Sequence, residues 1–344
     1  MRTRPSRRVC LLAVAVVLAA GGAACSKSSS KAESPPATTT TTAPPATYPL
    51  TGLPVTSPAN ATRPALSIKI DNVSLARPQA GVDAADVVYE EIVEGGLTRL
   101  VGVYQSTDAD SIGPVRSVRP TDPDLVAPFG GVFGYSGGAE RFDTLIRSTP
   151  GITAVSAGDD KAAYPNHGPH TGDHTAYTST AALYAHAAAG SKPPPPFSPF
   201  LKADQPFGPA GAVPATSIAL TVGSQPVGFD FDAAARTWKR TMDGRPDLLQ
   251  NGSQIASSNV IIEFVPEVAV GATDAIGSQV YEAKLQGTGE AWVLSDGKIV
   301  KGTWSKSSLT ALTTFADAAG APIALTPGRT FVELPEPGAP TTVT

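Results

Sequence analysis

Beyond residue 25 the chain has no cysteine; its two cysteines are Cys10 and Cys25. A folded body that starts later therefore has no intrachain disulfide and no cysteine-based metal site. Aromatic residues make up only 6% of the chain, which leaves few stacking platforms for an extended sugar. Charged residues are sparse at 16%. The apolar run at residues 9–20 is too short for an ordinary membrane span. No P-loop, dinucleotide fingerprint, HExxH pattern or EF-hand spacing occurs, so no cofactor is implied. The net charge is −4, and four of the positive charges are Arg2, Arg4, Arg7 and Arg8. Removing those four takes it to −8. An acidic chain argues against nucleic acid as a partner.

What is present begins with an address. A basic start, the apolar run VCLLAVAVVLAA and the small residues before Cys25 read as a secretory signal over residues 1–24. The run Gly21-Gly22-Ala23-Ala24 before the cysteine resembles a bacterial lipobox. On that reading Cys25 becomes the acylated N-terminus, with palmitate-class chains holding the protein on the extracytoplasmic face of the cell membrane. Buried acyl chains contribute about 0.8 kcal/mol per CH₂, and two chains anchor stably. Residues 25–47 are rich in Ser, Thr and Pro and read as a disordered tether.

The rest divides by pattern into an α+β chain. Residues 48–190 alternate strands with helical stretches and predict an N-terminal α/β domain with a mixed sheet. Residues 191–214 are proline-rich and read as a linker. Residues 215–336 predict a mainly β domain, with a hairpin turn at Asp296-Gly297 and a helical piece at 309–316. Residues 337–344 read as a disordered tail.

The most informative stretch is 87–120, VVYEEIVEGGLTRLVGVYQSTDADSIGPVRSVRP. Its apolar density is that of core strands, yet it carries Glu90, Glu91, Glu94, Arg99, Arg116 and Arg119. Such charges are costly when buried unless they are paired. Gly95-Gly96 suggests a two-residue hairpin loop. In that register Glu94 faces Leu97 and Ile92 faces Arg99. Arg99 then lies diagonal to Glu90 and Glu94 on one face. Glu91 falls on the other face without a partner, and Arg116 and Arg119 are also unassigned.

The segments ARPQAG, DVVYEEIVEGGLTRLVGVY and GPVRSVRP resemble the YerB-like bacterial lipoprotein family, a domain of unknown function numbered 3048. The likeness covers roughly residues 50–190 and continues more weakly into the C-terminal part. HTAYTS at 174–179 looks like a histidine-containing stretch of that family, with Asp173 and Thr175 departing from its usual residues. The resemblance implies an anchored envelope protein with N- and C-terminal domains and carries no known activity.

Arginines suit planar anions. Arg99, Arg116, Arg119, Arg141, His174 and Tyr177 are therefore the candidate ligand-binding residues. Glu90 and Glu91 with His174 are the catalytic alternative, a carboxylate acting on a glycan. His167, His170 and His174 have the spacing H-x2-H-x3-H and form the one candidate metal set, on a segment whose glycines and proline make it a loop. The sequence reads as a membrane-anchored lipoprotein that binds an anionic small ligand or a wall or envelope-protein partner. The alternative is a cell-wall-directed hydrolase or transferase.

Overall fold

The structure is a computed structural model that describes residues 46–344 apart from 275 and 276. The signal segment, Cys25 and nearly all of the tether lie outside the described residues.

Three strands form the centre: β1 (Leu66–Asp71), β2 (Val87–Ile92) and β3 (Thr98–Tyr104). All their residues are buried. The reason is cover on both faces. Side chains alternate along a strand, and here the two sets enter different apolar clusters. Ile68, Ile70, Val88 and Leu100 pack with Ile218, Phe229 and Trp238. Val87, Tyr89, Val101 and Val103 pack with Phe133, Phe142, Ile146 and Phe197. The first cluster joins the central sheet to a second, six-stranded sheet. The second lies under the helix Glu140–Arg147.

The large sheet is mixed. β4 (Gly131–Tyr135) and β5 (Ile152–Ser156) extend it in parallel beyond β1. On the other side, Thr330–Glu333 inserts in parallel between β2 and Asn259–Glu263. An antiparallel series then runs through Gly287–Ser295, Lys298–Lys306 and Thr314–Asp317. The chain is thus α+β, with a mixed sheet in its N-terminal part and mainly antiparallel strands in its C-terminal part.

Three local expectations are corrected. The proline-rich stretch 191–214 is a strap rather than a free linker. Phe197 and Phe207 are buried in the core, and Phe200 bridges to Leu325. The tail is ordered: Thr341–Val343 adds an antiparallel strand to Ser217–Val222. Residues 309–316 form no helix, and Thr314–Asp317 is an edge strand. Residues 112–118 make isolated bridges to Ala80, Ile70 and Thr178.

One buried cation ties the two segments of the chain together. Arg240 is fully buried and contacts Glu90 and Asp247 directly, with Glu333 at 3.5 Å. Burial opposes its charge, but the three carboxyls outweigh burial and hold its pKa above the ordinary value. Asn72 supports Glu90 by donating from Nδ2 at 2.9 Å. Three acids around one guanidinium cannot all ionise cheaply. Burial, then the charge of Glu90, pushes Glu333 well above the carboxylate range, which makes it the member expected to hold a proton. Arg240→Ala leaves carboxylates uncompensated and should cost about 3–5 kcal/mol in urea unfolding. Glu333→Gln replaces a neutral acid with a neutral amide and should cost under about 1 kcal/mol. Equal losses from the two variants would refute this proton assignment.

Candidate functional site

The site is set by the turn between β2 and β3. Gly95 and Gly96 have φ of 66° and 71°, a backbone that favours glycine. The turn takes three residues, Glu94–Gly96, and Val93 donates to the Leu97 carbonyl at 2.7 Å. The pairing is therefore one residue away from the expected register: Arg99 lies opposite Glu91, and Ile92 opposite Thr98. A one-residue slip moves a whole set of side chains to the other face. Arg99 shares its face with Lys69, Asp71 and Glu91, not with Glu90.

Two charge clusters result, one on each face. The Arg240 cluster holds Glu90. On the opposite face, Lys69 contacts Glu91 directly and Asp122 at 2.7 Å, with all three fully buried. Burial pushes the Lys69 pKa down to about 8, reinforced by Arg99 and opposed by Asp122. Both carboxyls of the catalytic alternative, Glu90 and Glu91, are thus sealed inside ion pairs at 0% exposure, and neither reaches a substrate.

Toward the end of the strands the cluster opens. Arg119 clasps Glu94 with Nε at 2.5 Å and Nη2 at 2.8 Å. Asp71, almost fully buried, receives Arg116 Nε and His174 Nδ1, each at 2.8 Å. The Arg116 N–H is not aligned for a hydrogen bond there, so this is an ionic contact. Arg116 also reaches Asp173 at 3.8 Å. Arg99 is different. In register it is flanked by Asp71 and Glu91, yet its guanidinium donates to the Ser117 carbonyl at 2.8 Å. Among the described residues it makes no ion pair. Burial, then the nearby Arg119 and Arg116, push its pKa down, against Asp71 and Glu94. An arginine stays charged regardless.

The histidine stretch reaches this cluster because the backbone staples it there. Ile112 and Thr178 exchange hydrogen bonds at 2.8 and 3.0 Å, and Val115 donates to Ala176 at 2.7 Å. The loop His170–His174 then lines an open cavity of about 560 Å³ with Leu75. Of the candidate ligand residues, Arg99, Arg116, Arg119 and His174 converge. Arg141 does not: it stacks on Phe142 at 4.4 Å on an exposed helix face. Tyr177 is fully buried, accepts from Gln250 at 2.7 Å, and has its pKa pushed up by burial to about 12. The candidate metal set disperses. His170 Nε2 lies 3.0 Å from the Pro78 carbonyl while His174 turns to Asp71. Among the described residues no three His, Cys, Asp or Glu side chains are placed to hold a metal ion.

Some residues escaped the sequence reading. Lys69 and Asp71 sit in an ordinary strand pattern, and nothing local marks them as partners. Glu263 is fully buried near Tyr89, and burial pushes its pKa up to about 8. Residues 134–138 spell G-x-S-x-G between β4 and the helix Glu140–Arg147. Ser136 lacks the positive φ of a nucleophile elbow, and among the described residues its hydroxyl has no hydrogen-bonded base.

The fold and this cluster define a class: an α+β protein whose N- and C-terminal segments share one sheet, with a partly open arginine cluster at the strand ends. Family models match both segments, the N-terminal domain of the protein of unknown function DUF3048 at residues 50–192 and its C-terminal domain at 217–332. The chain belongs to the DUF3048 family. A curated relative, named "Putative lipoprotein YerB" from Bacillus subtilis (strain 168), is 37% identical over 103 residues. That match spans 29% of this chain and 31% of the relative, under a third of its length. The crystal structure of the YerB protein from Bacillus subtilis superposes with a TM-score of 0.72. It covers 86% of this chain and 99% of that one at 20% identity, a likeness of fold.

A buried charge with no carboxylate partner burdens the fold. Arg99→Met should therefore leave stability unchanged or raise it by about 1 kcal/mol or more, read as the urea midpoint. A loss above about 3 kcal/mol would mean that Arg99 is an architectural ion instead.

Proposed function

We propose that this protein is a lipid-anchored protein of the extracytoplasmic membrane face that binds an anionic ligand without transforming it. One observation carries the binding reading: Arg99, 6% exposed and without a carboxylate contact among the described residues, sits beside Arg116 and Arg119, whose side chains stay 22% and 13% exposed. A planar anion entering there would meet the Arg99 fork and the partly exposed Arg116. His174, fixed through Nδ1 on Asp71, shares that carboxylate with Arg116 and lines the neighbouring cavity. The ligand is a free small anion or an anionic group displayed by a wall or envelope-protein partner. The hydrolase alternative loses its carboxylates, since Glu90 and Glu91 are both sealed.

Isothermal titration of the full-length chain in detergent with inorganic phosphate and with citrate tests the binding reading. At least one should bind. Arg99→Met and Arg116→Ala should each weaken it about tenfold or more, the size expected for a charge-assisted hydrogen bond. Absence of binding for both anions, or wild-type affinity in Arg99→Met, overturns the reading.

The anchor rests on the lipobox-like run before Cys25 and on the name of the Bacillus subtilis relative, a putative lipoprotein. Cys25→Ala should move the protein from the membrane fraction to the soluble or secreted fraction. Retention of the variant in the membrane fraction, resistant to high salt, would rule out acylation as the anchor.

A further inference from the structure

A second cavity, away from the arginine cluster, is built where the two family segments meet. Its volume is about 640 Å³, within the range of small-molecule sites. One wall is the turn at Gly81 (φ 75°). A Cβ there would lie 2.5 Å from the Ser111 carbonyl, so only glycine allows the close approach that shapes this wall. A second wall is the loop bearing Gln250 and Asn251. The Gln250 amide donates to the Gln79 carbonyl at 2.8 Å, and Asn251 Nδ2 donates to Asp83 Oδ2 at 2.9 Å. Asp108, held by Arg63 at 2.5 Å, lies in the rim.

Arg329 also lines this cavity, half-buried. Among the described residues its guanidinium makes no hydrogen bond or ion pair. Asp86 feels its charge, but that carboxylate is bonded to the Gln105 and Ser106 amides and the Ser106 hydroxyl and makes no ion pair with Arg329. The lining thus offers an unengaged fork donor together with two carboxylates, each with one oxygen bonded and the other spare. A simple dianion would gain from Arg329 but be repelled by Asp83 and Asp108. A molecule with an anionic and a cationic end satisfies all three.

We infer that this cavity binds a small zwitterion, an amino acid or short peptide. Its carboxylate sits on Arg329 and its ammonium group on Asp83 and Asp108. The inference is independent of the arginine cluster and of what binds there.

The experiment is calorimetric titration of the full-length chain with three probes: alanyl-alanine, its N-acetyl form and its C-terminal amide. Alanyl-alanine should bind, and each capped form should bind at least tenfold more weakly. Arg329→Gln and Asp83→Asn should each weaken alanyl-alanine at least tenfold, while Arg116→Ala should not change it. Because the Arg329 guanidinium has no hydrogen-bond or ion-pair partner among the described residues, Arg329→Gln should melt as wild type. Should it melt lower, the comparison of capped and free probes on the wild-type chain decides. Failure of alanyl-alanine to bind overturns the proposal. So do equal affinity for the N-acetyl form, and wild-type affinity in a stably folded Arg329→Gln.

Discussion

Burial of the central strands on both faces is the constraint from which the rest follows. Wherever β1, β2 or β3 carries a charge, that charge must be met inside the protein, since water is absent from both sides. Lys69, Glu90 and Glu91 are met: Lys69 by Glu91 and Asp122, Glu90 by Arg240 and Asn72. The alternation of a strand sends neighbouring glutamates to opposite faces, so each face acquires its own ion cluster. The Arg240 cluster does a second job. It fastens strand Thr237–Met242 of the smaller sheet to the central sheet, in support of the apolar contacts there.

Arg99 departs from that rule. Its neighbours in register are acids, but its guanidinium turns to a backbone carbonyl among other arginines. Structural ion pairs explain Glu90, Glu91, Glu94, Arg116 and Arg119, and they leave Arg99 over. A group that burdens the fold and lies at the end of its strands is the feature on which the binding proposal rests. Arg329 repeats the pattern at the second cavity with less burial. In both places a guanidinium makes no ion pair among the described residues: Arg99 meets only a backbone carbonyl, and Arg329 meets none.

The sequence reading of the charges failed in an instructive way. The register expected from Gly95-Gly96 sets Arg99 diagonal to Glu90 and Glu94 and leaves Glu91, Arg116 and Arg119 without partners. The structure reverses most of those assignments. The error is one residue of register, and it arises because the two glycines are part of a three-residue turn that begins at Glu94. Glycine content announces a turn but does not fix its length. The remaining partners were out of reach for another reason. Arg240 is 150 residues from Glu90 in sequence, and nothing in an alternating strand such as TWKRTM marks one arginine as buried.

What the sequence determined by itself is what local rules govern. Alternation and turn residues established the strands of the α+β fold, and the segments that carry the family likeness were readable directly. The concentration of Glu and Arg between residues 87 and 120 was enough to mark where chemistry would be found. Only the tertiary structure decided which charges pair, that the C-terminal strand Thr330–Glu333 completes the N-terminal sheet, and that the histidine loop lies against Asp71. Those are long-range contacts selected by the packing of two covered sheet faces, and packing has no signature within a window of ten or fifteen residues.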